Sequence, residues 1–192
     1  LTLELARAAR LVRRLRAALM AEEWRLVDEL VASESPAATG DSSVGSFVRA
    51  RGLRVVFVGK AEEKAGDDVL ATLRKDEGIA DMTGRSTLPE LLDIMKGAAL
   101  VVSNDTGPAH VAIALGAKTV VIIGGGHFGC FVPYPDGVAP RHARFVYERM
   151  DCYHCFWRCH KRDDTKASFP CVAAVSMDKV QTACMALLHE GD

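Results

Sequence analysis

The sequence predicts an α/β fold, a parallel sheet with helices on both faces. Short, wholly apolar runs such as Val101-Val102 and Val120-Val121-Ile122-Ile123 alternate with longer segments of helical periodicity. Strands buried on both faces read as continuous apolar runs, and the helices between them act as crossovers. The apolar runs are each followed by a polar, mostly glycine-containing loop, which is where ligands collect in such sheets. At 192 residues, with 49% apolar and 26% charged residues, the chain is of one-domain size and can bury a real core.

Taken in order, residues 2–31 read as one long helix or two shorter ones. Leu5, Ala8, Ala9, Val12, Leu15 and Leu19 recur at intervals of three and four, and Arg7, Arg10, Arg13, Arg14 and Arg16 lie mostly off that face. A packed amphipathic helix or a membrane-surface helix would both show this pattern. Ser33 to Ser46, rich in Ser, Gly, Ala and Pro, reads as a loop and linker. It divides an N-terminal helical segment, 1–46, from the α/β domain, 47–192. Then come strand Arg54 to Val58, helix Ala61 to Arg74, strand Ile79 to Met82 and helix Leu88 to Lys96, which Thr87-Leu88-Pro89-Glu90 opens as a capping box. Strand Leu100 to Ser103, helix Pro108 to Leu115 and strand Thr119 to Ile123 follow. After a Gly/Pro loop, Arg144 to Tyr147 reads as an edge strand, and Ser176 caps a last helix that runs to His189.

A net charge of −1 gives no electrostatic case for nucleic-acid binding, so the partners expected are small molecules. No apolar run approaches the ~20 residues of a membrane span, the longest being Thr119 to Gly126. The Arg-rich start is superficially like a transit peptide, but Glu4, Glu22 and Glu23 argue against one. The chain does not open on Met and reads as a fragment of a longer protein.

Residues 98–124 carry the strongest functional signal. An apolar strand ends in Ser103-Asn104-Asp105-Thr106-Gly107, Pro108 opens a helix, Gly116 closes it, and a second apolar strand follows. Pro suits a first helical turn, and Gly107 lets a ligand come close to the backbone. The unpaired N–H groups there, with the positive end of the helix dipole, favour a phosphate. His110 on the first turn can donate to the same group, and the Asp105 carboxylate can accept from sugar hydroxyls. Plain helix capping is the competing reading. The loops starting at Gly59-Lys60, Thr83-Gly84-Arg85, Asp105 and Gly124 should all meet at one sheet edge, which favours a binding site.

Ser103-Asn104-Asp105-Thr106-Gly107-Pro108-Ala109-His110, preceded by Thr83-Gly84-Arg85-Ser86-Thr87-Leu88-Pro89-Glu90-Leu91, resembles glycosyltransferase family 9, the ADP-heptose:lipopolysaccharide heptosyltransferases. Gly124-Gly125-Gly126-His127-Phe128-Gly129, Pro133-Tyr134-Pro135 and the cysteine-rich segment match as well, so the resemblance runs from about Arg54 to the end. It implies the C-terminal, donor-binding half of a GT-B glycosyltransferase, one of two Rossmann-like domains that face each other across a cleft. The donor would be ADP-heptose or a related nucleotide sugar. The acceptor, a lipopolysaccharide core, would be held through an N-terminal domain, with the protein cytoplasmic and peripheral to the inner face of the inner membrane. In this reading Thr106, the N–H groups of Gly107 and Ala109, and His110 grip the diphosphate. Glu62 or Glu63 takes the ribose hydroxyls, unless both are solvated first-turn residues. His127 touches the donor sugar or acts as a mobile element, or is merely exposed in a glycine run. Arg85 and Thr87 are weak candidates that capping and surface roles would also explain.

Two features depart from the family. No counterpart of its catalytic base, which lies in the N-terminal domain, is found here, so no catalytic residue is assigned and the chain alone should be inactive. The family's phosphate-side Lys has no match either, since no Lys occurs before Lys60. Ala38 to Ser43 only faintly resembles the loop that bears it. No metal cofactor is required in such enzymes, which rely on protein donors.

Cys152, Cys155, Cys159 and Cys171 lie close in sequence, with His154 and His160 interleaved. Such spacing suits a structural zinc, and an iron-sulfur cluster less well. Cys130 and Cys184 read as lone structural thiols. Two readings outside the enzyme class stay open: a non-catalytic nucleotide- or nucleotide-sugar-binding module, and a small metal-binding protein.

Overall fold

The computed structural model describes residues 17–20, 53–60, 79–162 and 168–189. Among them is one six-stranded sheet, with every strand pair parallel. The strands are β1 (Ala17–Met20), β2 (Val55–Val58), β3 (Ile79–Asp81), β4 (Val101–Asn104), β5 (Thr119–Ile122) and β6 (Ala143–Val146). The helices are α1 (Leu88–Gly97), α2 (Gly107–Ala114), α3 (Pro170–Ala173) and α4 (Met177–His189). The spatial order is β3-β2-β1-β4-β5-β6. The chain moves outward from β1 to β3, then returns to β4 and moves outward the other way. The β1–β4 junction is therefore the point where strand order reverses, and the crevice beyond the carboxyl ends of those strands is where Rossmann-type sheets hold nucleotides.

β1 corrects the sequence reading. Residues 17–20 fall inside the expected helix over 2–31, yet they form a central strand, with Ala17 opposite Val55 and Ala18 opposite Val101. Ala-Ala-Leu-Met is too short an apolar run for periodicity to separate helix from buried strand. The backbone donors and acceptors of β2 and β4 on either side decide the matter. The sheet thus takes in residues 17–20, which lie before the linker proposed at residues 33–46. The rest of the N-terminal helix, the linker and helix 61–74 lie outside the described residues.

Apart from the short α3, which the sequence reading did not expect, the other described elements match the expected ones with ends shifted by a residue or so. Alternation along β5 shows how the layers form. Val120 and Ile122 face a cluster with Val180, Cys184 and Leu187 of α4, while Val121 and Ile123 face Ala109 and Ile113 of α2. Ile94 and Met95 of α1 pack with Val56, Val58, Val101 and Ala112. Fully burying one such Val or Leu is worth roughly 1.5–3 kcal/mol, so the two apolar faces of β5 bind helices to both sides of the sheet.

The capping box forms as expected. The Glu90 carboxylate accepts both the backbone N–H and the hydroxyl of Thr87, each at 2.8 Å. These bonds favour the charged form and hold Glu90 below the usual carboxylate range. Thr87 is therefore a helix-start residue. No helix among the described residues is long and apolar enough to cross a membrane.

Candidate functional site

The Asp105 backbone N–H donates to the Ile122 carbonyl at 3.1 Å, extending the β4–β5 ladder and fixing Asp105 at the end of β4. Thr106 is the extended N-cap of α2, Pro108 lies in the first turn, and Ser103 Oγ sits 3.4 Å from Thr106 Oγ1. Gly107 has an ordinary negative φ, and a Cβ built on it would meet nothing within 4 Å. Neither dihedral nor packing demands glycine there. Its effect is to leave the first turn of α2 open, with a backbone N–H that a ligand can reach. Ala109, by contrast, is fully buried and its N–H already donates to the Thr106 carbonyl at 3.0 Å. That bond occupies the N–H for which a phosphate was the expected partner.

His110 joins two elements. Its Nε2 lies 3.6 Å from Asp105 Oδ1, and its Nδ1 lies 2.8 Å from the Tyr134 hydroxyl. A carboxylate can only accept, so the neutral ring places its proton on Nε2, and the Tyr134 O–H donates to Nδ1. The 3.6 Å gap is an electrostatic contact too long for a hydrogen bond, so Nε2–H keeps its donor capacity for an incoming anion. The Asp105 side chain is only 11% exposed. Loss of hydration pushes its carboxyl above the usual range, and His110 and then His127 act against that rise. Burial, with the Asp105 charge second, also raises the Tyr134 phenol, which stays protonated and keeps donating. Tyr134 had no assigned role from sequence, its sole signal being the Pro133-Tyr134-Pro135 match.

Beyond Asp105, a cavity of ≈ 190 Å³ is lined by Asn104, Asp105 and Thr106 on one side, and by Trp157, Phe169 and Val172 on the other. Its floor includes Gly124, where an added Cβ would stand 2.6 Å from the Trp157 ring. A Cβ at Gly125 would collide with the Tyr153 ring, and one at Gly126 with Trp157 again. The glycine run is therefore a bed for aromatic side chains. The loop lying on it is tied down by backbone bonds, His154 N–H to Gly125 O at 2.8 Å and Phe156 N–H to Gly126 O at 3.1 Å. Its backbone is strained: His154, Phe156 and Trp157 have φ of 67°, 50° and 62°. Such left-handed residues cost about 1–2 kcal/mol each, and strain of this kind gathers at functional sites.

His127 sits at the end of the glycine run. Trp157 Nε1–H donates to its Nδ1 at 3.1 Å, and Phe131, Phe156 and Trp157 stand edge-to-face around its ring. Asp105, Thr106, Gly107, His110 and His127 thus converge beyond the ends of β4 and β5. Arg85 is exposed at the end of β3, where Gly84 N–H donates to Gly59 O at 2.8 Å. Glu62 and Glu63 lie outside the described residues.

All six thiols are free, and among the described residues no three His, Cys, Asp or Glu side chains form a metal-binding group. Cys171 Sγ accepts the Gly125 N–H at 3.2 Å inside the α4-side core. Burial pushes its thiol up, partly offset by that bond. Cys184 is a buried structural thiol as expected, pushed up to about 12 by burial, whereas Cys130 is exposed.

The sequence profile of glycosyltransferase family 9 (heptosyltransferase) matches residues 42–156. The chain belongs to glycosyltransferase family 9. No curated protein sequence matches it. Solved structures share its fold. The E. coli ADP-heptose lipopolysaccharide heptosyltransferase II aligns with a TM-score of 0.63 at 18% identity, over 92% of this chain and 47% of that one. A family 9 glycosyl transferase from Veillonella parvula aligns at 0.58 and 22% identity, over 93% and 47%. TibC of enterotoxigenic E. coli, a dodecameric iron-containing heptosyltransferase solved with ADP-D-beta-D-heptose, aligns at 0.58 and 17%, over 91% and 46%. The family 9 chain therefore spans about half the length of these relatives. Its glycosyltransferase domain has the Rossmann-like α/β fold that the sequence predicts.

Proposed function

We propose that this glycosyltransferase domain is the donor-binding half of a GT-B enzyme that transfers heptose from ADP-heptose to a lipopolysaccharide core. The observation that carries the reading is the Asp105–His110–Tyr134 constellation at the open start of α2, beside the point where strand order reverses. The Gly107 N–H, the Thr106 hydroxyl and His110 Nε2–H are donors that would hold the diphosphate and offset the charge growing on it as it departs. Asp105, whose carboxylate can accept, would take sugar or ribose hydroxyls. The family resemblance puts the base for the acceptor hydroxyl in the facing domain, so transfer would need that domain, and the isolated chain would bind donor without turning it over. A lipid-borne acceptor would place the protein in the cytoplasm, against the inner membrane. Glu62 and Glu63 keep their proposed ribose role.

Calorimetry tests the reading. ADP should bind, and Asp105→Ala or His110→Ala should each weaken it about tenfold, the loss of one charge-assisted contact. Absence of ADP binding by the parent chain overturns the donor-site assignment. The cysteine spacing supports a structural zinc on Cys152, Cys155, Cys159 and Cys171, and Cys152 and Cys155 lie near enough to Cys171 to help raise its thiol.

A further inference from the structure

The donors and acceptors described so far account for a diphosphate and leave an aromatic surface beside it unused. Phe131 and Phe156 are each 61% exposed, and apolar side chains exposed together, unlike ones scattered singly, point to a binding surface. Both rings flank His127, with centroids 6.1 and 5.5 Å from its own, and Phe131 also reaches His110 at 6.5 Å. The aromatic surface therefore begins at the residue that faces the diphosphate. Phe156 and Trp157 hold their places through left-handed backbone, locked by the bond from Phe156 N–H to Gly126 O. Trp157 occupies His127 Nδ1, so the proton lies on Nε2, for which no described residue is a hydrogen-bond partner.

We propose that Phe131, Phe156 and His127 form a carbohydrate platform that receives the sugar ring of the bound nucleotide sugar. The proposal rests on the donor-site reading above and adds the part of the site that distinguishes a nucleotide sugar from its bare nucleotide. A pyranose has an apolar C–H face and a rim of hydroxyls. The negative faces of the phenyl rings attract the C–H groups, His127 Nε2–H donates to one hydroxyl, and the Asp105 carboxylate accepts from another. A phosphate would make no use of phenyl rings, and a purely apolar ligand would leave the donor on His127 and the acceptor on Asp105 unmatched.

Titrating the chain with ADP and with ADP-heptose tests this. The parent should bind ADP-heptose more tightly than ADP. Phe131→Ala, Phe156→Ala and His127→Ala should each lower ADP-heptose affinity about three- to tenfold while leaving ADP within about twofold, in line with the worth of one aromatic contact. Phe131→Tyr, which keeps the ring, should retain parental affinity. Both phenyl rings are largely exposed, so an unchanged melting temperature in Phe131→Ala and Phe156→Ala would show that the variants are folded. A parent that binds ADP and ADP-heptose equally, or variants that lose both ligands alike, overturns the platform and leaves the donor site standing. A parent that binds neither overturns both.

Discussion

Trp157 Nε1–H donates to His127 Nδ1 at 3.1 Å, joining the loop laid over the glycine run to the loop that ends β5. An indole nitrogen can only donate, so this bond decides which imidazole nitrogen carries the proton. Trp157→Phe keeps an aromatic ring and removes the donor. Nitrogen NMR should show His127 mostly in the Nε2–H form in the parent and as a mixture of tautomers in the variant, with a stability loss of about 1 kcal/mol. An unchanged tautomer would show that the bond does not set it.

Glycines 125 and 107 should respond in opposite ways. Gly125→Ala drives a methyl group into the Tyr153 ring and should cost about 1–3 kcal/mol in chemical denaturation. Gly107→Ala meets no neighbour within 4 Å and needs no special φ, so its stability should stay within about 0.5 kcal/mol of the parent. Its added methyl group stands where a phosphate would approach, and ADP affinity should fall. Unchanged ADP affinity in Gly107→Ala would count against the open helix start as the phosphate site.

Asp105 makes a stability-versus-pH prediction. Its carboxyl is raised in the folded protein, chiefly by lost hydration, so the folded state holds that proton more tightly than the unfolded chain. Relative to neutral pH, its contribution to stability is fully present below the unfolded value, near 3.8, and is lost as pH rises through the higher folded value. Asp105→Asn removes that penalty. Melting curves should show the variant at least as stable as the parent at pH 7, with the advantage vanishing in acid, while donor binding weakens. A variant markedly less stable at neutral pH would mean that its contacts with His110 and His127 outweigh burial.

The zinc proposal is settled by metal analysis of reduced protein purified with zinc present. About one equivalent per chain is expected, lost in Cys155→Ser, because a structural site needs four ligands. Less than about a tenth of an equivalent would end the proposal.

Turnover by the isolated chain should be negligible with ADP-heptose and acceptor lipid. Measurable transfer would locate a base within these residues and overturn the half-site reading.

The local signals were read correctly where one segment held the whole signal. Thr87 and Glu90 are three residues apart and cap α1 as their spacing requires. Asp105 to His110 are contiguous, so their meeting at the start of α2 is legible in the order of residues. The run at 17–20 was misread because its strand character lies in its partners at 55–58 and 101–103, far along the chain.

By itself, the sequence determined the α/β class, the parallel strands from residue 55 onward, the family and the polar turn that opens α2, because each is written in short-range periodicity or a contiguous motif. Only the tertiary structure decided that Tyr134 pairs with His110 Nδ1, that Trp157 fixes the tautomer of His127, and that Gly124, Gly125 and Gly126 are bare to admit aromatic rings. Those contacts join residues about two dozen or more positions apart. Their geometry follows from where strands and loops close in space, which no local pattern of residues encodes.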